Sequence, residues 1–289
     1  MWVLQFLINY VFIALYIFIN SILIISNYPK KEPPMITKDK HKSTIILSIQ
    51  TNESNSLDKD FFIELSKNIE EAENDPKCKT IILTAKNEKF FSNGFNPELF
   101  IGKSYDEIYS NVLLSVKSCG NILFSKKPIV SALNGYAMGV GAVMAIFSDY
   151  RVMVNKNTRF GFPEGLIGLN FPSTTATVLI ELVGIQKARE LLYSSKAVKS
   201  EEALKIGLVD ELCEPETLIQ TSLKWCAKFE TMAMESVTGL KFTLRDSLHT
   251  TAIQLETRDT ELLSKAIFSP NGQEGLRSIL EKRRPIWKE

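Results

Sequence analysis

The chain has 289 residues, of which 45% are hydrophobic and 23% charged, and these values are ordinary for a globular protein. Its formal net charge of +1 provides no bulk attraction for a nucleic acid, so no nucleic-acid partner is expected. The four cysteines form no CxxC pair and there are two histidines, so neither a disulfide framework nor a metal site is predicted.

The first segment of the chain differs from this ordinary composition. Residues 1–27 are almost wholly apolar, and a bilayer crossing needs about 20 such residues. No Lys or Arg precedes this run, whereas lysines from Lys30 to Lys42 follow it, which predicts a membrane anchor with the rest of the chain facing the cytoplasm. The alternative is that Met35 is the true start, which would leave a soluble cytoplasmic protein.

The next part of the chain alternates strand and helix patterns. Residues 28–42 contain three prolines and several lysines, a composition that predicts a stiff polar linker. A first strand is expected over Ser43–Ile49, a helix with one apolar stripe over Leu57–Ala72, and a second strand over Thr80–Thr84. The folded core is predicted to span residues 43–214.

The motif around which the chain is organised follows this part. A buried-strand pattern, Pro128–Leu133, leads through an Asn-Gly turn and several small residues into an apolar helix that reaches Phe147. A strand, a glycine-rich turn and a helix in this order leave unpaired backbone N–H groups where an anionic oxygen can bind. A further strand is predicted over Tyr150–Val154, and an isolated carboxylate, Glu164, follows it.

The remaining segments show helical patterns. A helix is predicted over Tyr105–Phe124 and another over Thr174–Val183, while the family resemblance described below implies a separate helix over Gly184–Leu192. The region 215–289 is predicted to be entirely helical. Its predicted helices span Thr217–Thr231, Ser236–His249, Gln254–Lys265 and Gln273–Arg284.

Two of these segments resemble the crotonase superfamily, the enoyl-CoA hydratase/isomerase group. Phe90–Asn96 matches the family pattern F-x-x-G-x-D, and the turn at Gly139–Gly141 matches N-G-x-x-x-G-G-G, with a Pro-Glu pair, Pro163-Glu164, further along. The resemblance covers Ser43–Lys288. It implies an α/β fold with a crotonase-like ββα superhelix core, and C-terminal helices that assemble the subunits into a homotrimer or hexamer.

The resemblance also implies a substrate and a site. The substrate would be an acyl-CoA thioester, with CoA as part of the substrate and no separate cofactor. Enolate chemistry needs donors for the thioester oxygen and a base beside it. The family pattern assigns the backbone N–H donors to Asn93 and Val140, and the base to Glu164. Further substrate contacts are assigned to Ser92, Gly94, Phe95, Gly139, Gly141 and Val143.

One departure from the family pattern predicts the reaction. Hydratases of the family hold a water between two glutamates, but the first of these positions is Val143 here and only the second, Glu164, is acidic. A single carboxylate can move a proton between two carbons, as in the mitochondrial-type Δ3,Δ2-enoyl-CoA isomerases of the family. We therefore expect an isomerase of fatty-acid metabolism that shifts a 3-enoyl-CoA double bond to the 2-position. A hydratase with an altered acid–base set and a non-catalytic acyl-CoA-binding or scaffold protein stay open as alternatives.

Three smaller expectations accompany this assignment. Val140 stands where relatives usually have glycine, and a β-branched residue there requires ordinary φ/ψ values. The basic residues Lys282, Arg283 and Arg284 either meet CoA phosphates or remain solvated at a helix end. The apolar neighbours of Glu164 predict a raised pKa for its carboxyl group. These neighbours are Phe160, Phe162, Leu166 and Ile167.

Overall fold

The computed structural model describes residues 33–289. The apolar segment 1–27, predicted as an anchor, lies outside the described residues, as does the first part of the expected linker. Over residues 33–289, no helix combines the length and the apolar composition that a bilayer crossing requires. Assembly into a trimer or hexamer also stays a prediction.

The described residues form two sheets and a set of helices. The strands span Ile36–His41 (β1), Thr44–Ile49 (β2), Thr80–Ala85 (β3), Phe90–Ser92 (β4), Ile129–Leu133 (β5), Tyr136–Met138 (β6), Tyr150–Val154 (β7), Arg159–Gly161 (β8), Val198–Lys199 (β9) and Glu211–Cys213 (β10). The α-helices span Lys59–Asn74 (α1), Tyr105–Leu123 (α2), Val140–Phe147 (α3), Ser173–Ser194 (α4), Ser200–Lys205 (α5), Leu218–Ala227 (α6), Met234–Phe268 (α7) and Pro270–Leu280 (α8).

The larger sheet has the strand order β1-β2-β3-β5-β7-β10. Adjacent strands in it are parallel, except that β1 and β2 are antiparallel. The smaller sheet has the order β4-β6-β8-β9, with β4, β6 and β8 parallel. A strand of the larger sheet, a strand of the smaller sheet and a helix follow one another three times, as β3-β4-α2, β5-β6-α3 and β7-β8-α4. The predicted α/β fold with a ββα superhelix core is therefore confirmed.

Helices cover both faces of the larger sheet. Every residue of β5 is buried, as parallel strands require when both of their faces are covered. On one face, Leu218 and Cys226 of α6 pack with Val130 and Val152 in a small apolar cluster. The other face holds the main core, to which α1, α2 and α3 contribute. The site described below lies beside this main core.

The linker prediction for residues 28–42 is wrong for Ile36–His41, which form the edge strand β1. The backbone N–H groups of Met35 and Ile36 donate to the carboxylate of Glu64, at 3.0 and 3.1 Å, and fix the beginning of the strand. Only Ile36 within β1 is buried, and charged residues on the rest of the strand are typical of a protected sheet edge. Because these residues are polar, the segment has no hydrophobic pattern from which a strand could be predicted. The folded unit consequently begins at Met35.

The C-terminal helices differ in one respect from their prediction. The two helices expected over Ser236–His249 and Gln254–Lys265 are a single helix of 35 residues, α7. No glycine or proline lies between the two predicted helices, so nothing in this part of the chain ends the helix. By contrast, the expected boundary inside α4 is present, because Gly184 has the non-helical values φ 75° and ψ 156°.

A buried ion pair attaches α7 to the larger sheet. Lys241 Nζ donates to Asp149 Oδ2 at 2.7 Å, and the same oxygen accepts the Ile129 N–H at 2.8 Å. Burial lowers the pKa of Lys241, and the charge of Asp149 opposes this effect. The pair therefore fixes α7 at the point where β5 begins.

We expect the substitution Asp149→Asn to lower the free energy of unfolding by about 3 kcal/mol, because the buried ammonium group of Lys241 then lacks a counter-ion. Urea unfolding of the variant and the wild type measures this loss. A second substitution, Lys241→Met, should recover part of the stability in the double variant, since no uncompensated charge remains. A single variant as stable as the wild type would contradict the assignment.

Candidate active site

The predicted base lies in a short, closed turn. Glu164 begins a 3-10 helix, Glu164–Ile167, that follows β8 and ends at Gly168 in the left-handed region, with φ 71°. The Leu169 N–H returns to the Glu164 carbonyl at 2.9 Å. This backbone hydrogen bond closes the turn and restricts the position of the Glu164 side chain.

One oxygen of the Glu164 carboxylate is buried without a hydrogen-bond partner among the described residues. The residue as a whole is partly exposed, but its Oε2 atom is buried and accepts no hydrogen bond within the protein. Burial raises the pKa of the carboxyl group to about 7, and a hydrogen bond from its own backbone opposes the shift only in part. Phe160 and Phe162 are buried as expected, whereas Leu166 is 56% exposed and provides no apolar cover. A carboxylate with a pKa near neutrality suits a general base.

Two glycine turns meet beside this carboxylate. Gly139, with φ 54°, and Gly94, with φ 94°, adopt values that residues with a Cβ rarely take, and a Cβ built on either would lie 3.7 Å from the Cα of the other. A Cβ on Gly139 would also lie 3.8 Å from Glu164 Oε1. One on Gly141 would lie 2.6 Å from the Cβ of Ser92. The structure therefore brings these predicted site residues together.

The Val140 N–H is available to a ligand. Val140 is the first residue of α3, so its N–H has no acceptor within the helix. The unusual backbone conformation falls on Gly139, and Val140 itself has a negative φ, which a β-branched residue tolerates. The valine found in place of the family glycine is thus compatible with the turn.

The second expected donor, the N–H of Asn93, has a partner inside the protein. It donates to the Ser54 carbonyl at 3.2 Å, and the Gly94 N–H donates to Ser92 Oγ, also at 3.2 Å. The following N–H, of Phe95, has no acceptor among the described residues. The free donor of this turn is therefore Phe95. The motif could locate the turn, but the carbonyl of Ser54 reaches it only through the tertiary fold.

These groups line a cavity of about 490 Å³. The two glycine turns and Glu164 form one part of its wall, while the end of α2 from Ser115, the following Phe124, and α7 form much of the rest. Val143 is 8% exposed and lines the same cavity, as predicted from its place in the motif. A cavity of this size can enclose a small-molecule ligand or an acyl group.

Helix α7 supplies cavity residues that the sequence analysis did not identify. The residues on one of its faces are His249, Ile253, Glu256 and Leu263. Their helical spacing was visible in the sequence, but the position of the face over α2 was not. Glu256 pairs with Lys117 of α2, the two charged atoms being 3.7 Å apart. Asp259 accepts the Thr174 N–H at 3.0 Å. Of the carboxylates in this wall, Glu164 is thus the one with an unpaired buried oxygen.

The basic C-terminal residues differ in their availability. Arg283 contacts Glu274 and Glu281 and is therefore engaged within the protein. Lys282 and Arg284 are exposed. Arg283 is therefore not available to bind a CoA phosphate. Binding of CoA phosphates by Lys282 and Arg284 stays a prediction.

The ββα superhelix, with two turns that offer backbone N–H groups and a carboxylate beside them, defines a protein of the crotonase superfamily. A family model described as "Enoyl-CoA hydratase/isomerase" matches residues 40–289. The chain belongs to the enoyl-CoA hydratase/isomerase family.

The relatives similar to this chain include proteins named hydratases and proteins named isomerases. A crotonyl-CoA hydratase of Syntrophomonas wolfei is 25% identical over 86% of this chain and 96% of the relative. The mitochondrial enoyl-CoA delta isomerase 1 of Rattus norvegicus is 26% identical over 86% of both chains. The crystal structure of human mitochondrial Δ3-Δ2-enoyl-CoA isomerase superposes with a TM-score of 0.83 at 22% identity, covering 86% of this chain and 98% of that one. The last comparison supports the fold.

The raised pKa of Glu164 predicts a pH-dependent effect on stability. The folded state binds this proton more tightly than the unfolded chain, so the wild type loses stability as the pH rises from about 4.5 to about 7. Above about pH 7, Glu164→Gln should therefore be more stable than the wild type by up to about 3 kcal/mol. Below about pH 4.5 this contribution should vanish. Urea unfolding across this range measures the difference, and a difference independent of pH would contradict the raised pKa.

Proposed function

We propose that this protein is an enoyl-CoA isomerase of fatty-acid metabolism that shifts a double bond from the 3-position to the 2-position of an acyl-CoA thioester. The observation that carries the proposal is the Glu164 carboxylate, one oxygen of which is buried and unpaired, in a cavity where Val143 occupies the position of a second glutamate. The backbone N–H groups of Phe95 and Val140 have no acceptor among residues 33–289, and both residues lie in the wall of the same cavity.

The proposed reaction moves one proton and two electron pairs. The Glu164 carboxylate removes a proton from C2 of the 3-enoyl thioester, and the C–H electrons form a dienolate whose negative charge lies on the thioester oxygen. The N–H groups of Phe95 and Val140 stabilise this oxygen, each contributing about 3 kcal/mol in a dry site. The carboxylic acid of Glu164 then returns the proton to C4, which leaves the double bond between C2 and C3.

The side chain of Val143 favours isomerisation over hydration. Hydration of a 2-enoyl thioester requires a water held and activated beside the reacting carbons, and an aliphatic side chain can do neither. The isomerisation needs no water, since the same proton leaves one carbon and reaches another. The names of the relatives include both activities at similar identity, so the proposal rests on the residues of the site and not on the comparisons.

The direct test is conversion of 3-enoyl-CoA, followed by the absorbance of the conjugated thioester. We expect turnover by the wild type and a loss of at least about a hundredfold in kcat for Glu164→Gln, because the general base is removed. Glu216→Gln, which changes an exposed glutamate before α6, serves as the matched control and should keep full activity. CoA-thioester binding without turnover of 3-enoyl, 2-enoyl or 3-hydroxyacyl substrates would instead support the non-catalytic alternative.

A second carboxylate at Val143 should alter the reaction. We expect Val143→Glu to gain weak hydration of 2-enoyl-CoA and to lose part of the isomerase activity, since two close carboxylates raise one another's pKa and one remains protonated. Burial of the new carboxylate should also lower stability by a few kcal/mol.

Val143→Gln is the matched control for this variant, because it is similar in size and cannot ionise. It should lose isomerase activity without any gain in hydration. A folded Val143→Glu protein with full isomerase activity and no hydration would show that Val143 does not face the reacting carbons.

A further inference from the structure

Helix α8 packs directly on the turn that holds the base. A Cβ built on Gly275 of α8 would lie 2.0 Å from the carbonyl oxygen of Ile167, so the two backbones are in contact without an intervening side chain. A Cβ built on Gly168 would lie 3.2 Å from the carbonyl oxygen of Asn271 and 3.2 Å from Cζ3 of Trp287. The 3-10 helix of Glu164 is thus bounded by α8 and by the C-terminal tail.

The tail, residues 281–289, folds back along α8. The chain turns at Lys282, with φ 51°, and the Ile286 N–H donates to the carboxylate of Glu274 at 2.7 Å. Hydrogen bonds from Arg283 lower the pKa of Glu274 to about 2, so this carboxylate stays charged over the physiological range. The side chain of Asn271 closes the arrangement, because it accepts the Lys288 N–H at 2.7 Å and donates to the Lys288 carbonyl at 3.1 Å.

The same helix also contacts the segment that follows the first glycine turn. Gln273 Nε2 donates to the Phe100 carbonyl at 3.2 Å, and its Oε1 accepts the Gly102 N–H at 3.1 Å. The ring of Phe100 packs edge-on against Phe95, with 5.1 Å between the ring centroids. Helix α8 therefore connects the turn that carries the base with the segment that carries the Phe95 N–H.

We propose that the folded-back tail is a positioning element for the proposed reaction, in which Trp287, held by the pairing of Asn271 with Lys288, fixes the turn that carries Glu164. The inference rests on the proposed role of Glu164 as base. Asn271 and Trp287 are positioning residues, since they contact the turn around Gly168 and act on the carboxylate through it. This positioning role applies to any reaction in this cavity in which Glu164 transfers a proton to or from carbon.

The ionisable groups around Glu164 allow the effect of the tail to be measured. Lys117, His249, Glu256 and Asp259 line the same cavity from α2 and α7. The raised pKa of Glu164 is caused by burial and not by any of these charges. A base released from its fixed position would become better hydrated, so its pKa would fall from about 7 towards the ordinary value of 4.5.

The experiment compares Trp287→Ala with Ile286→Ala. These neighbouring tail residues are both exposed, but Ile286 takes part only through its backbone N–H, so its truncation preserves the tail. For Trp287→Ala we expect kcat for 3-enoyl-CoA to fall roughly tenfold with little change in KM. The acid limb of the pH profile should move down by about half a unit or more. Ile286→Ala should match the wild type, and Trp287→Phe should restore most of the activity.

A second readout separates this inference from the proposed isomerase. The pKa of Glu164 can be measured without substrate by difference infrared spectroscopy of ¹³C-glutamate-labelled protein, with Glu164→Gln as the reference. A lowered pKa in Trp287→Ala and in Asn271→Ala supports the positioning role even if the wild type does not isomerise 3-enoyl-CoA, an outcome that would overturn the proposed function alone. Wild-type titration of Glu164 together with wild-type kcat in both variants would overturn the positioning role. Loss of thermal stability without a change in either readout would also overturn it.

Discussion

Two main-chain segments approach each other in this protein more closely than side chains allow, and the candidate site is built on that contact. Gly94 and Gly139 face each other, and Gly141 leaves no room for a Cβ beside Ser92. The parallel strands β4, β6 and β8 are neighbours in the smaller sheet, so their carboxyl ends lie along one edge. The two glycine turns that carry Phe95 and Val140 follow the ends of β4 and β6, and Glu164 follows the end of β8. The register of the sheet therefore sets the distances between these site residues.

The carboxylate at this edge is energetically unfavourable for the fold. Elsewhere, two buried charged groups, Lys241 and Arg151, have acidic partners, Asp149 and Asp210. Glu164 instead has an unpaired buried oxygen and a pKa of about 7. A carboxyl group whose pKa is shifted at the cost of stability is typical of a functional site. The contrast between paired structural charges and one unpaired carboxylate distinguishes the site from the core.

Most of the core could be predicted from the sequence. Its strands and helices are buried on one face or on both, and each kind of burial gives a recognisable hydrophobic pattern. The family resemblance pointed to Val143 and Glu164 as site residues, and both line one cavity in the structure. Edge strand β1 was missed because its polar residues face solvent, and the two helices predicted in the region of α7 are one because no glycine or proline separates them. The pairing of the Asn93 N–H with Ser54 could not be predicted, since it joins segments that only the tertiary fold brings together.

Each of the three ββα units places one part of the candidate site at the same edge of the smaller sheet. The first unit carries Phe95, the second Val140 and Val143, and the third Glu164. In the proposed reaction, thioester activation and proton transfer therefore depend on different units, and a substitution in one need not disturb the others. Under that proposal, exchange of a carboxylate for an aliphatic residue in the second unit can redirect a shared enolate to another product. A family whose members are named both hydratases and isomerases is the expected outcome of such divergence.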